Sequence, residues 1–362
     1  MKTLIKALAL ILAAAMLSAL GGCTKAPIAL SYGESVITTN MYRYWLSSYK
    51  GTFLYTYTDM TDTDAFWDSV LFENTTAEDY LNGAVLENVK RTLVCMELFR
   101  TYGLTMPKST VADIDTYIAD LTEAYGEGNK QKFNQTLAQY GVNADMLREI
   151  YIEQAKASLV YKYLYGKGGP NALTEADLDA YYRENYVRVR HIYVNDAYKY
   201  VTDADGFYQY DANGALLTRD LTEAEKAEKA EKIAAIEKAL AEGQDCKTVY
   251  ETYSEDLYYV NGYYLTRETD FIAEVVDAAF DMEIGEMKAV KSDFGMHFLM
   301  RLPLEDNAYN EATNADFFDD YGETVANDDF MKFLDSLLPD VTVNEEETKK
   351  YSIRDAAVNY SI

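Results

Sequence analysis

The sequence predicts an α+β protein of two domains, and three observations carry that prediction. Helical hydrophobic periodicity runs almost unbroken over residues 79–164. Over residues 187–302, short β-branched and aromatic runs alternate with short amphipathic helices; beyond Pro303 the pattern turns helical again. A chain of 362 residues suits two domains, one of them open to contributions from both ends of the sequence.

The chain begins with Lys2 and Lys6, an apolar run from Ala7 to Leu20, and Gly21-Gly22-Cys23. A positive start and an apolar run this short read as a cleaved export signal over residues 1–22, not as a membrane span. The small residues before Cys23 match the bacterial lipoprotein box, which implies cleavage before Cys23 and lipidation of its sulfur. An ordinary secretory peptide with an incidental cysteine is the alternative. Two acyl chains are enough for stable anchoring, so the expected location is extracytoplasmic, tethered to a bacterial cell membrane.

Residues 28–32 and 35–37 flank Gly33-Glu34 as a hairpin, and Thr38 or Thr39 starts a helix bearing Tyr42, Trp45 and Tyr49. Residues 51–64 show no clear period and read as a loop. Leu81, Val85, Val89, Leu93 and Met96 form the stripe of a helix over residues 79–100. Pro107 opens a helix over residues 108–125, another follows over 130–140, and Asn143 caps a fourth, which ends at Gly166-Lys167-Gly168-Gly169-Pro170. Residues 23–172 therefore read as a helical domain. Thr174 and Asp177 start a linker helix over residues 173–186.

From Val187 the expected order is strand, helix, helix, strand, helix, strand, strand. The first strand leads into residues 195–221, an aromatic segment read as an inserted hairpin on the Asn213-Gly214 turn signal. A capping box of Thr222 and Glu225 opens the first helix, and Ile233, Ile236 and Leu240 supply its buried stripe. A helix over residues 246–253, strands at 263–266, 287–290 and 297–302, and a helix over 274–280 complete the block. Residues 304–362 hold an aromatic amphipathic helix in need of a partner and a last short strand at Val341 and Val343. Residues 351–362 show no assignable pattern.

Charge excludes some functions. The formal net charge of −27 becomes two units more negative once residues 1–22 leave, and such a surface repels nucleic acid and anionic headgroups. The acidic stretches 316–329 and 344–348 lack the ligand spacing and mid-loop glycine of a calcium loop and read as solvated faces. There is no phosphate-binding glycine loop, Cys/His metal spacing or nucleophile motif, so neither cofactor nor metal is expected. Cys95 and Cys246 each fall at an apolar helical position, which reads as two separate buried thiols, with a bridge as the alternative.

The chain has two histidines, His191 in Arg190-His191-Ile192-Tyr193-Val194 and His297 in Phe294-Gly295-Met296-His297-Phe298, both in strand-like apolar runs. Two neutral imidazoles on neighbouring strands can hold each other's tautomers. Such a pair is either catalytic machinery or a polar staple; a metal site built with acidic groups fits adjacent buried strands poorly.

These residues, with the Ser254-Glu255-Asp256 turn, Gly262, the Val276-Asp277-Ala278-Ala279-Phe280 helix and the Ile284-Gly285-Glu286 turn, resemble the parvulin family of peptidyl-prolyl isomerases. With its export signal and helical flanks, the chain resembles the extracytoplasmic foldases of the PrsA and SurA type. The resemblance implies an antiparallel-rich sheet flanked by helices over residues 187–303, inserted in a SurA-like helical chaperone domain formed by both chain ends. It implies isomerisation of X-Pro bonds in exported, partly unfolded polypeptides, without metal or cofactor. His191 and His297 match the paired histidines, Asp256 the family's Cys or Asp, and Ser292 its last-loop hydroxyl. Phe271 matches an apolar wall of the proline pocket, Tyr264 falls near another wall, and Phe294 joins the substrate-binding residues.

Two departures weaken the expected grip on proline. Val275 stands where the family has an aromatic, and Asn261-Gly262-Tyr263-Tyr264-Leu265 replaces a double glycine followed by Asp-Leu-Gly. The alternative is an inactive parvulin-like holdase that binds unfolded polypeptide. A solute-binding lipoprotein, needing two α/β lobes, fits the long helical half poorly. The oligomeric state stays open, a homodimer included.

Overall fold

The computed structural model describes residues 26–362 except 59, 73 and 213; the export signal, Cys23 and Asn213 lie outside the described residues. The chain divides into two compact units, residues 26–172 with Ala326–Ile362, and Leu173–Val325. Residues 173–186 and 304–325 thus belong to the second unit.

In the first unit, β1 (Ile28–Tyr32) and β2 (Ser35–Thr38) pair antiparallel around Gly33. Gly33 sits at φ +57°, a conformation glycine adopts freely, and a Cβ there would meet Glu97 Oε1 at 2.2 Å. The Glu97 carboxylate fills that gap, accepting from the Glu34 N–H at 3.2 Å and Ser35 Oγ at 3.0 Å and pairing with Arg100. Burial alone would raise its pKa, but the Arg100 and Ser35 hydrogen bonds hold it below the usual range.

Thr38 caps α1 (Thr39–Thr56) by accepting from the Met41 N–H. The helix continues through residues 51–56, where the sequence reads as a loop. A Cβ at Gly51 would meet Asn359 O at 1.8 Å, so this glycine admits the backbone of the C-terminal segment. That segment lies along α1: Lys50 Nζ donates to Arg354 O and Ala356 O, and the Tyr44 hydroxyl donates to Ile362 O. Three short elements absent from the sequence reading follow: α2 (Asp64–Trp67), β3 (Val70–Phe72) and β4 (Thr75–Thr76).

The helical stretch becomes α3 (Ala77–Thr101), α4 (Lys108–Gly126), α5 (Lys130–Leu137) and α6 (Ala144–Tyr165). Thr76, Asn129 and Asn143 cap α3, α5 and α6 through their side chains. Val85, Val89 and Leu93 form the buried stripe of α3, and Cys95 lies beside it as a free thiol pushed up to about 12 by burial. Among the described residues, no helix is long and apolar enough to cross a membrane.

The second unit opens with α7 (Glu175–Asn185), started by a capping box of Thr174 and Asp177. Then come β5 (Val187–Val194), the β6 (Tyr198–Tyr200) and β7 (Thr218–Asp220) pair, α8 (Glu223–Ala241) behind the Thr222–Glu225 capping box, and α9 (Cys246–Tyr253). After these follow β8 (Tyr263–Leu265), α10 (Ala273–Asp281), β9 (Met287–Ser292) and β10 (Gly295–Leu302). The sheet has the order β8-β5-β10-β9, and every neighbouring pair is antiparallel. The architecture is α+β.

Strand alternation gives the sheet two distinct faces. On one, Ile192, Val194 and Phe298 pack against Ile236, Val249 and Tyr250 of α8 and α9, with Cys246 free and buried among them. On the other, Val187, Val189, Tyr263 and Leu265 pack with Ala279, and Leu299 packs with Val275, Ala278 and Met282 of α10.

The chain closes with α11 (Tyr321–Asp335), β11 (Thr342–Val343) and α12 (Glu345–Thr348). β11 pairs antiparallel with β1, Val343 opposite Leu30, which puts residues from both sequence ends in one small sheet.

Candidate functional site

His191 and His297 project from β5 and β10 on the face that α10 covers. The register places His297 opposite Tyr193 and Leu299 opposite His191, so the two imidazoles are diagonal neighbours. His191 Nε2 lies 2.8 Å from His297 Nδ1, and the rings stack at 5.1 Å and 18°. His297 Nε2 meets Ser292 Oγ, at the end of β9, at 2.7 Å. His191 Nδ1 meets Asp256 Oδ2 at 3.3 Å.

Asp256 is held by its own turn. Ser254 Oγ donates to Asp256 O at 2.7 Å and accepts the Tyr193 N–H at 3.1 Å, which pins the turn to β5. The Tyr258 N–H donates to Asp256 Oδ1, and the Tyr263 hydroxyl donates to Oδ2. Burial would raise the Asp256 pKa, but the hydrogen bonds from His191, Tyr263 and Tyr258 outweigh it and hold the carboxyl below the usual range.

With both rings neutral, an ionised Asp256 assigns every proton in the chain of bonds. It accepts from His191 Nδ1–H, so Nε2 of a neutral His191 accepts from His297 Nδ1–H, and His297 Nε2 accepts from Ser292 Oγ–H. Burial, then the neighbouring His191 and Lys291, push His297 down to about 4, in agreement with a neutral ring at physiological pH. Both nitrogens of both rings are engaged, which leaves no ring nitrogen for a metal. Among the described residues, no group of three or more His, Cys, Asp or Glu is placed to hold one.

Aromatic rings enclose the pair. Tyr193 stacks on His297 at 5.1 Å and 20°, and its hydroxyl donates to Phe294 O at 2.7 Å. Tyr263 and Phe271 meet His191 edge-on, each at 5.7 Å. His191 and His297 are 3% and 0% exposed as a result, so a ligand would meet the rim rather than the imidazoles. Leu257 and Tyr258, directly after Asp256, and Phe294, close to Ser292, are exposed apolar side chains on that rim.

Of the residues singled out from sequence, the structure brings together His191, Asp256, Ser292, His297 and Phe271. Phe294 is half-exposed, its N–H donating to Ser292 Oγ at 3.1 Å. Val275 is fully buried against Leu299 and packs beneath Phe271. Tyr264 requires a correction: it lies on the opposite sheet face, buried with Tyr182 and Phe318, its hydroxyl on Glu305 and its ring under the Arg188 guanidinium. β8 pairs Tyr263 with Val189, and that register turns Tyr263, not Tyr264, toward Asp256. Tyr193 and Tyr263 are the residues that sequence reasoning missed. Tyr193 was within reach, since it stands two positions after His191 on one strand and shares its face.

No protein-family model matches the chain, and a search of curated proteins returns no match. Among solved structures, the chain is similar to PrsA from Bacillus subtilis, at 17% identity and TM-score 0.25, covering 80% of this chain and 90% of that one. It is similar to the peptidylprolyl isomerase PrsA from Bacillus cereus, at 16% identity and TM-score 0.28 over 79% and 91% of the two chains. A SurA-like chaperone structure from Campylobacter jejuni matches at 14% identity and TM-score 0.19, over 72% of this chain and 97% of the other.

Proposed function

We propose that the protein is a membrane-anchored extracytoplasmic foldase whose second unit isomerises X-Pro bonds in exported polypeptides and whose helical residues hold the unfolded client. In this reading residues 187–303 are the isomerase domain, 173–186 its linker, 304–325 a segment packed in the same unit, and residues 23–172 with 326–362 the chaperone domain tethered through Cys23. The observation that carries it is the unbroken hydrogen-bonded chain Asp256–His191–His297–Ser292.

The chemistry asks for little. X-Pro rotation has a barrier near 20 kcal/mol, and an acceleration of about a thousandfold requires about 4 kcal/mol of it. Lost amide resonance, not bond making, is the obstacle, so no nucleophile or cofactor is needed. Phe271, Phe294 and the rim residues Leu257 and Tyr258 offer apolar contact for a proline ring and its neighbours. Asp256 supplies a fixed negative charge beside the twisting amide, while the two histidines and Ser292 keep it in place.

Two observations favour a second reading, the holdase without catalysis. Asp256 Oδ2 already accepts from both Tyr263 and His191, and the valine at position 275 leaves no aromatic ring there. Exchange NMR on a panel of short X-Pro peptides, using lipid-free protein, separates the two. Rapid exchange that falls by at least about tenfold in Asp256→Asn and His191→Ala variants, each shown folded by circular dichroism, supports the enzyme. Absence of exchange across the panel, with aggregation of an unfolded client still suppressed, would leave the holdase.

A further inference from the structure

The inserted segment between β5 and α8 forms a sheet of its own with one face uncovered. β6 and β7 pair Tyr198 with Asp220 and Tyr200 with Thr218, and isolated bridges join Thr202 to Tyr208 and Tyr210 to Leu216. Residues opposite one another in antiparallel pairs share a face. Tyr198, Tyr200, Tyr208, Tyr210 and Leu216 therefore line a single side. The other side is tied to α8 at its base, where Lys199 and Arg219 both bond Glu225, at 3.1 and 2.7 Å, while its Phe207 and Leu217 are exposed further out.

The tyrosine side is an open aromatic surface, with Tyr208 56% and Tyr210 59% exposed and Tyr200 and Leu216 exposed as well. Rings of Tyr198 and Tyr200 lie 5.3 Å apart, and those of Tyr200 and Tyr208 5.6 Å apart. That spacing is close to the about 6.6 Å between alternate side chains of an extended polypeptide. The surroundings are acidic. Among the described residues, Asp203, Asp205 and Asp220 have no ion-pair partner, and the hairpin's cations, Lys199 and Arg219, share the single Glu225 carboxylate, so the acidic groups of the hairpin still outnumber the basic ones. Tyr198 and Tyr200 also border a hollow of about 220 Å³ whose walls include Glu225, Glu228 and Glu255 together with Lys199 and Lys229.

We infer that this face is a docking surface for extended, positively charged polypeptide segments, separate from the histidine pair. Lysine and arginine side chains stack on tyrosine faces and are drawn by the unpaired carboxylates. The same charge turns away nucleic acid and anionic lipid. The inference rests on the client-binding part of the proposed function only in calling the occupant a client segment.

The test uses an alternating Lys-Thr peptide of about ten residues, which is about 33 Å when extended and has no proline for the histidine site. The lipid-free full chain binds it, binds an alternating Glu-Thr peptide far more weakly, and loses affinity at about 0.5 M salt. A Tyr200→Ser, Tyr208→Ser, Tyr210→Ser variant, unchanged in charge, binds it about tenfold more weakly or worse while X-Pro exchange on short peptides stays as in the parent. Equal binding by variant and parent, or equal binding of the acidic peptide, overturns the inference. So does a variant that only changes from dimer to monomer on size exclusion, since the face would then cover a second copy. Absence of X-Pro catalysis in the parent, with Lys-Thr binding intact, would instead count against the isomerase reading alone.

Discussion

Tyr263 and Tyr264 are adjacent on one three-residue strand, chemically identical and both buried, yet they belong to different parts of the molecule. Tyr263 bonds Asp256 and lies edge-on to His191; Tyr264 bonds Glu305 and packs in a cluster with Tyr182, Tyr309 and Phe318. The difference is one step of strand alternation. It teaches that the strand is a partition: Tyr263 joins the polar network and the core under α10, and Tyr264 the core that holds α7 and the following segment to the sheet, with Phe317 touching both rings.

The strongest way to break that comparison is Tyr264→Ala. Removing a buried aromatic of this kind costs about 3–5 kcal/mol, measured by urea unfolding, while the histidine NMR signals of the folded protein stay in place. Displaced histidine signals would mean the two faces are not independent.

Titration gives the next largest effect and belongs to the Tyr263 side. His297 is depressed to about 4 from an unfolded value of 6.5. Between those values the unfolded chain takes up a proton that the folded one does not. Stability is therefore full above about pH 6.5 and falls toward pH 4, by at most about 1.4 kcal/mol per pH unit. The held-down Asp256 adds a further loss that begins as the pH drops to the ordinary aspartate value and ends at its lower folded pKa. Urea midpoints across pH 7 to 4 check the slope, and a flat profile would mean that His297 is not buried as a neutral ring.

Tyr263→Phe comes third. It removes one hydrogen bond to a carboxylate, costing about 1–2 kcal/mol, and raises the Asp256 pKa, read by carboxyl carbon shifts. Tyr264→Phe is the smallest. Its lost partner, Glu305, is solvent-accessible and can be hydrated, so the cost stays below about 1 kcal/mol and Asp256 titrates as before. Equal effects of the two Phe variants on Asp256 would erase the partition.

Much of this was legible in the amino acids. The caps at Thr38, Asn143, Thr174 and Thr222 act within one helical turn and are visible as short motifs. The two histidines stood out because a polar ring in an apolar strand needs a partner, and each was the other's only imidazole. Residues 51–56 misled because they show no clear period, and Gly51 at their start is a residue poorly suited to a helix interior. Here it makes room inside one for a backbone 308 positions away in sequence, a contact no local pattern announces.

By itself, then, the sequence determined the class of the fold, the order of the main strands and helices from residue 187 to 302 and the helix starts, because each depends on periods or motifs a few residues long. Tertiary structure alone decided which of two adjacent tyrosines meets Asp256, that Tyr193 roofs His297, that β11 joins β1, and that the last twelve residues lie along α1. Alternation has two phases of equal local standing. Which phase faces the site is set by hydrogen-bond register between strands far apart in the chain.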